Sequence, residues 1–138
     1  MKVYHESFAI QTSKRMELVD ITQRVEEAVR RSGVREGLAL VFVPHATAAV
    51  VVNEHEEGLM DDIVRKAEEL FEPGSAKWRH NAIDNNAHAH MASALFGQER
   101  VLPVSSGRLV RGTWQNIFLF ELDGPRSRRE VHVVVIGE

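Results

Sequence analysis

Apolar and polar residues alternate from Val3 to Thr12, with Tyr4, Phe8 and Ile10 set against His5, Ser7 and Ala9, and this predicts a half-buried strand. Ser13-Lys14-Arg15 is a polar turn, followed by a short strand at Glu17–Val19. The period then lengthens. Ile21, Val25, Ala28, Val29 and Ser32 share one helical stripe, Asp20 with Gln23 three residues on supplies a cap, and Gly33 ends the helix. Leu38–Val43 and Ala49–Val52 are unbroken apolar runs, too short for independent helices, and predict core strands covered on both faces.

A second helix is expected from Gly58 to Phe71, where Leu59, Met60, Ile63, Val64, Ala67 and Leu70 keep helical spacing before Pro73-Gly74-Ser75 stops it. Asn86 is the expected N-cap of a third helix carrying Ala87, Met91, Ala94 and Leu95, with Gly97 at its end. Strands follow at Val101–Val104, Arg108–Val110, Gln115–Leu122 and Val131–Ile136, separated by Ser105-Ser106-Gly107, Gly112 and Asp123-Gly124-Pro125. The helices interrupt runs of strands rather than alternating with them, which predicts a single α+β domain with a mostly antiparallel sheet.

Composition narrows the function. Lys and Arg total 17 against 20 for Asp and Glu, a net charge of −3, without the long basic run that would neutralise a phosphate backbone, so nucleic acid is not an expected partner. The chain has no cysteine, which excludes thiolate catalysis and Cys-ligated zinc. No apolar stretch approaches the roughly 20 residues of a membrane span, and Met1–Glu6 lacks the apolar core of a signal peptide; a soluble, cytoplasmic chain is expected. Neither GxGxxG nor GxxxxGK[ST] occurs.

Five of the seven histidines fall between positions 45 and 90. His45 follows Pro44 at a strand end with Thr47 just beyond, a position that delivers a side chain to the mouth of a site, although a surface turn would hold it equally well. His88 and His90 are about 200° apart on a regular helix, so one of them faces a site and the other faces solvent or a neighbouring subunit; His90 is the choice for the site. His80, in Trp78-Arg79-His80, lies in a link between helices. His45, His80 and His90 form the candidate catalytic set and a candidate ligand set for a divalent metal, zinc on imidazoles or magnesium carried by phosphate.

Asn53 and Glu54 close a core strand, Glu56 and Glu57 suit a helix start, and Glu121 interrupts an apolar strand and so requires a partner or a wet end. Thr113, Trp114 and Gln115 enter the next strand, with Trp114 expected in the core. Gly124–Arg129 is the one dense cationic cluster, and arginine forks suit phosphate.

The ordered set Val43-Pro44-His45-Ala46-Thr47-Ala48-Ala49, Asn53-Glu54, Trp78-Arg79-His80, Asn86-Ala87-His88-Ala89-His90, Gly107-Arg108-Leu109, Gly112-Thr113-Trp114-Gln115 and Gly124-Pro125-Arg126 resembles the YjbQ family, over nearly the whole chain. The resemblance implies an α+β fold with a β-sandwich-like core, a homotrimer, and a polar pocket near the subunit boundary. It also implies that His45, His80 and His90 are the recurring histidines of the family. Ala46 stands where the family often has Thr, and His88 where it often has Asp or Pro.

The activity attached to the family is thiamine-phosphate synthesis, which joins hydroxymethylpyrimidine pyrophosphate to thiazole phosphate and releases pyrophosphate, usually with Mg²⁺. On that reading the three histidines meet pyrophosphate or metal, Arg126 or Arg108 takes the second phosphate, Trp114 walls the pocket, and Thr47, Asn53, Glu54, Asn86, Thr113 and Gln115 complete the substrate site. Two other classes fit the same residues: a His-ligated metal-dependent hydrolase of an anionic metabolite, and a non-catalytic small-molecule-binding trimer.

Overall fold

The computed structural model describes residues 1–138. In chain order its elements are β1 (Lys2–Ile10), β2 (Glu17–Asp20), α1 (Thr22–Ser32), β3 (Glu36–Phe42), β4 (Ala48–Asn53), α2 (Glu57–Phe71), a 3-10 turn (Arg79–Ala82), α3 (Ala87–Phe96), β5 (Glu99–Ser105), β6 (Arg108–Leu109), β7 (Asn116–Glu121) and β8 (Arg129–Gly137). The strands form two antiparallel sheets, a five-stranded one in the order β1-β8-β3-β5-β6 and a three-stranded one in the order β2-β7-β4. This is the expected α+β class, and no helix is long and apolar enough to cross a membrane.

Period-2 burial orients the large sheet. Val131, Val133 and Val135 of β8, Ala39 and Val41 of β3 and Leu102 and Val104 of β5 point inward onto Val25, Ala28 and Val29 of α1 and onto Val50, Ile117 and Leu119 of the small sheet. The small sheet turns its other face, with Ala49, Phe118, Phe120 and Leu122, toward Ala67 and Phe71 of α2 and Ala89 and Ala92 of α3. β7 therefore lies between two cores. That corrects the expectation for Leu38–Val43, because β3 is covered on one face only and Leu38 and Phe42 remain exposed. β4 is buried at Ala48–Val50 and only half-buried at Val51 and Val52.

The outer face of the large sheet is left apolar. Cross-strand register lines up Val3, Ile136, Leu38 and Pro103 in one row and His5, Val134, Leu40 and Val101 in the next. Val3 and Val101 are 71% and 55% exposed, an apolar sheet surface that nothing in the chain covers.

Caps match the sequence at most helix ends. Gly33 closes α1 in the left-handed region at φ 68°, and the Glu56 carboxylate accepts the Gly58 and Leu59 N–H groups to start α2. Asp20 accepts the Thr22 N–H at 2.9 Å, although Ile21 holds the N-cap position of α1. Asn86 is the N-cap of α3 without capping it by side chain; Asn81 Oδ1 takes the Ala87 N–H instead, which frees Asn86 for other partners.

Gly37 marks the tightest backbone approach in the sheet, because a Cβ there would stand 2.0 Å from the Ile136 carbonyl oxygen. Gly37→Ala is expected to cost about 1–3 kcal/mol through overpacking, read as a lower urea midpoint at unchanged slope.

Candidate functional site

β7 and β8 end beside one another, and their polar residues meet in the interior. Glu121 and Arg129, with side chains 0% and 4% exposed, form an ion pair. Arg129 Nε donates to Glu121 Oε1 at 2.9 Å, and its Nη2 also donates to the Thr47 carbonyl and hydroxyl at 3.1 and 3.0 Å. Thr12 Oγ1 donates to Glu121 at 2.7 Å and accepts the Arg126 N–H at 2.8 Å. Burial alone would raise the Glu121 carboxyl, but the Arg129 guanidinium, the Asp123 N–H and Thr12 outweigh it and hold it below the usual carboxylate range.

His45 rests on this floor. Its Nε2 accepts the Glu130 N–H at 2.8 Å, while burial and the nearby Arg129 charge push its pKa below the ordinary histidine value. A neutral ring that accepts at Nε2 carries its proton at Nδ1 and has no lone pair to spare for a metal.

A second polar chain forms the rim. Asn86 Nδ2 donates to the Asp123 carboxylate at 2.9 Å, which turns Oδ1 toward His80 Nε2 at 3.0 Å and so assigns the proton to that nitrogen. The His80 and His90 rings meet edge to face with centroids 4.9 Å apart. Arg126 grips Asp123 through its carbonyl and carboxylate, and the Asp123 N–H donates to Glu121 at 3.0 Å, so rim and floor are one network. Arg15 joins it by donating to the Asn85 carbonyl at 3.0 Å.

The structure thus gathers His45, Thr47, His80, Asn86, His90 and Arg126 at one end of the β4–β7 pair. Other candidates lie elsewhere. In the β4–β7 ladder, Ala48 pairs with Glu121 at one end and Asn53 with Asn116 at the other, a separation of about 17 Å at the usual strand rise. Asn53, Glu54, Thr113, Trp114 and Gln115 belong to the far end. There Asp20 accepts from Asn116 at 2.7 Å and meets His55 Nδ1 at 2.5 Å; Thr22, His55 and Asn116 outweigh the effect of burial and keep its carboxyl below the ordinary range.

Trp114 corrects a second expectation. It is 71% exposed, because Gln115 Oε1 accepts the Gly112 N–H at 2.7 Å and closes a turn outside β7, before the strand enters the core. Arg108 is in a third place, on the edge strand β6.

The three candidate histidines do not form a ligand set in this arrangement, and no three His, Asp or Glu side chains gather where they would hold a metal ion. Sequence reasoning missed Thr12 and Asp123 as network members and did not single out Arg129. The signal for Arg129 was its phase: it alternates with Val131, Val133 and Val135, which all point inward.

His88 is also corrected, since it faces neither solvent nor a neighbouring subunit. It is fully buried, and although the Leu122 carbonyl faces the ring, neither nitrogen reaches hydrogen-bonding geometry with any partner. Burial and the Arg15 charge lower its pKa from the ordinary 6.5. A lowered folded-state value means stability is intact above about pH 6.5 and is lost as pH falls through the folded value, because the unfolded chain binds the proton first. His88→Leu is expected to stabilise the fold by about 1–2 kcal/mol at pH 7 by removing the unpaired polar atoms. It should also flatten the acid loss of melting temperature between pH 7 and 5, leaving the smaller slope due to His45.

The model of the family "UPF0047 protein YjbQ-like" matches residues 6–138. The chain belongs to the YjbQ/UPF0047 family. A UPF0047 protein from Methanothermobacter thermautotrophicus is 44% identical over 138 residues, all of this chain and 95% of the relative, and the YugU protein of Bacillus subtilis is 36% identical over 127 residues, 89% and 92% of the two chains. Among solved structures, a YbjQ-like protein of unknown function from Sulfolobus solfataricus is 55% identical with a TM-score of 0.97, covering 99% of both chains. A hypothetical protein from Aeropyrum pernix is 48% identical with a TM-score of 0.93, covering 97% of this chain and 98% of that one.

Proposed function

We propose that this YjbQ-family chain is a small-molecule enzyme acting on phosphorylated substrates, and that thiamine-phosphate formation is its reaction. The observation that carries this reading is the single hydrogen-bonded network that joins the His80, Asn86, Asp123 and Arg126 rim to the buried Glu121–Arg129 floor beneath His45. A floor fixed by internal bonds holds the groups above it in place before a substrate arrives, and preorganised donors aimed at developing charge lower a barrier.

In this reaction the pyrophosphate leaves with the electron pair of its C–O bond, and the lone pair of the thiazole nitrogen forms the new C–N bond. The charge that develops is on the departing pyrophosphate. The His45 Nδ1–H and His90 supply donors toward it, His80 is held by Asn86 edge to face against the His90 ring and positions it, and Arg126 takes the phosphate of the second substrate. Mg²⁺ would enter with the pyrophosphate, whose oxygens are hard ligands for it.

The proposal includes a homotrimer. The uncovered apolar rows on the large sheet supply a self-association surface, and the exposed Trp114 supplies a contact at the opposite end of β4–β7 from the histidines. On this reading Asn53, Glu54, Thr113, Trp114 and Gln115 of one protomer complete the histidine end of its neighbour.

The deciding experiment measures thiamine phosphate formed by tag-free protein, wild type against His90→Ala, with and without Mg²⁺. Turnover that needs both His90 and Mg²⁺ is the expected result. Stoichiometric zinc without turnover would move the assignment to a hydrolase, and ligand-dependent melting without turnover to a binding protein.

A further inference from the structure

We infer that the concavity between the C-terminal turn of α1, the start of β3 and the β5–β6 turn binds a small anion carrying two or more phosphates, separately from the histidine site. Arg30 of α1, Arg35 of the α1–β3 link and Arg108 of β6 line this cavity of about 550 Å³ together with Glu26, Ser106, Gly107 and Leu109.

Most other arginines of the chain have a partner. Arg31 and Arg65 pair with carboxylates, Arg24 lies over the Phe8 ring, and Arg15, Arg100, Arg111, Arg126 and Arg129 bond to carbonyls or carboxylates. Arg30, Arg35 and Arg108 have no carboxylate within 4.0 Å. The two acidic groups nearest them are already engaged: Glu26 is bridged to Arg111 at 3.5 Å, and Glu36 accepts from Ser105 and Ser106 at 3.1 and 3.0 Å. Three guanidiniums against the one unbridged carboxylate, Glu36, whose charge acts on Arg35, leave a local excess of positive charge in a chain whose net charge is −3.

The local backbone holds the cluster together. The Gly107 N–H donates to the Arg35 carbonyl at 3.0 Å, tying the turn to β3. Gly107 has φ +75°, and a Cβ built on it would lie 3.7 Å from Arg35 Nη1, so that exposed guanidinium lies alongside the turn. Arg108 follows directly, and the left-handed cap at Gly33 stops α1 where Arg30 reaches the same space. Guanidinium forks match phosphate oxygens two at a time, and three of them repel one another unless an anion lies between them. The volume exceeds that of one phosphate and suits a diphosphate or triphosphate group.

The test is calorimetric titration of tag-free full-length protein with sodium pyrophosphate at constant ionic strength. The expected result is two binding phases in the wild type. Arg35→Gln/Arg108→Gln loses one of them, with affinity weakened about tenfold or more, and His90→Ala keeps that phase while losing the other. If the histidine reading alone fails, wild type and His90→Ala show the same single phase, and the double arginine variant shows none. The inference is overturned if the double variant, folded by its melting curve, binds pyrophosphate as wild type does, or if wild type has no phase that survives His90→Ala. A change of oligomer size in the double variant by light scattering also overturns it, because the arginines would then be pairing with carboxylates of another copy.

Discussion

Arg129→Met is expected to lower the unfolding free energy by about 3–5 kcal/mol, the cost of leaving one member of a buried ion pair without its partner. The carboxylate of Glu121 is 0% exposed and receives two donors from Arg129, and the Thr47 carbonyl and hydroxyl lose theirs in the same substitution. The pH dependence distinguishes this account from simple loss of packing. In the wild type the Glu121 carboxyl is held below its ordinary 4.5, so its contribution is present above that pH and is lost as pH falls through the folded value. In Arg129→Met only the Asp123 N–H and Thr12 still oppose burial, which raises the carboxyl, so the folded state takes that proton first. The variant therefore loses less stability than wild type as pH falls from 7 to 5, the Glu121 contribution opposing that of His45 and His88. Glu121→Leu/Arg129→Met should recover most of the loss, since an apolar pair of similar volume needs no desolvation of charge. Urea titrations at fixed protein concentration measure all of these. A variant that weakens with acid as wild type does would show that the pair is not what holds the carboxyl ionised.

His90→Ala and Trp114→Ala are each expected to abolish all but about 1% of thiamine-phosphate formation, the scale of losing a positioned group at the reacting centre. When the two proteins are unfolded, mixed in equal amounts and refolded together, activity should return to about one quarter of wild type. The arithmetic follows from the cyclic symmetry of the proposed homotrimer: an intact site would take its histidine end from one protomer and its tryptophan end from the next, each intact with a chance of about one half. If one protomer built the whole site, every mixed site would carry one of the two lesions and mixing would restore nothing. The separation of about 17 Å between the ends of the β4–β7 ladder is the reason for expecting restoration.

Much of this was legible along the chain. The period-2 run of β1, the helical stripe of α1 and the glycine ends at Gly33 and Gly97 are local signals, read within a few residues of where they act. The family resemblance rested on short motifs in a fixed order, and the family model that matches residues 6–138 bears it out. The need for a partner to Glu121 was also visible, because a carboxylate among Phe118, Leu119, Phe120 and Leu122 has no solvent to turn to.

The misreadings share one cause. β3 and β7 are both apolar runs, and composition alone assigns both to a two-sided core, yet only β7 lies between two layers. Trp114 has the bulk of a core residue and sits outside the sheet because a four-residue turn, Gly112 to Gln115, precedes the strand. His88 was set aside by its place on α3, and packing put it in the interior where its burial lowers its pKa.

The sequence by itself determined the elements, the class of fold, the family and the histidines worth watching, since each depends on residues a few positions apart. Only the tertiary structure decided that Thr12, Thr47, Glu121, Asp123 and Arg129 form one network, and that the motif residues divide between two ends of a ladder and an edge strand. Those relations join positions more than a hundred residues apart in the case of Thr12 and Glu121. They arise from which strands pair and which faces pack, and local periodicity carries no information about that choice.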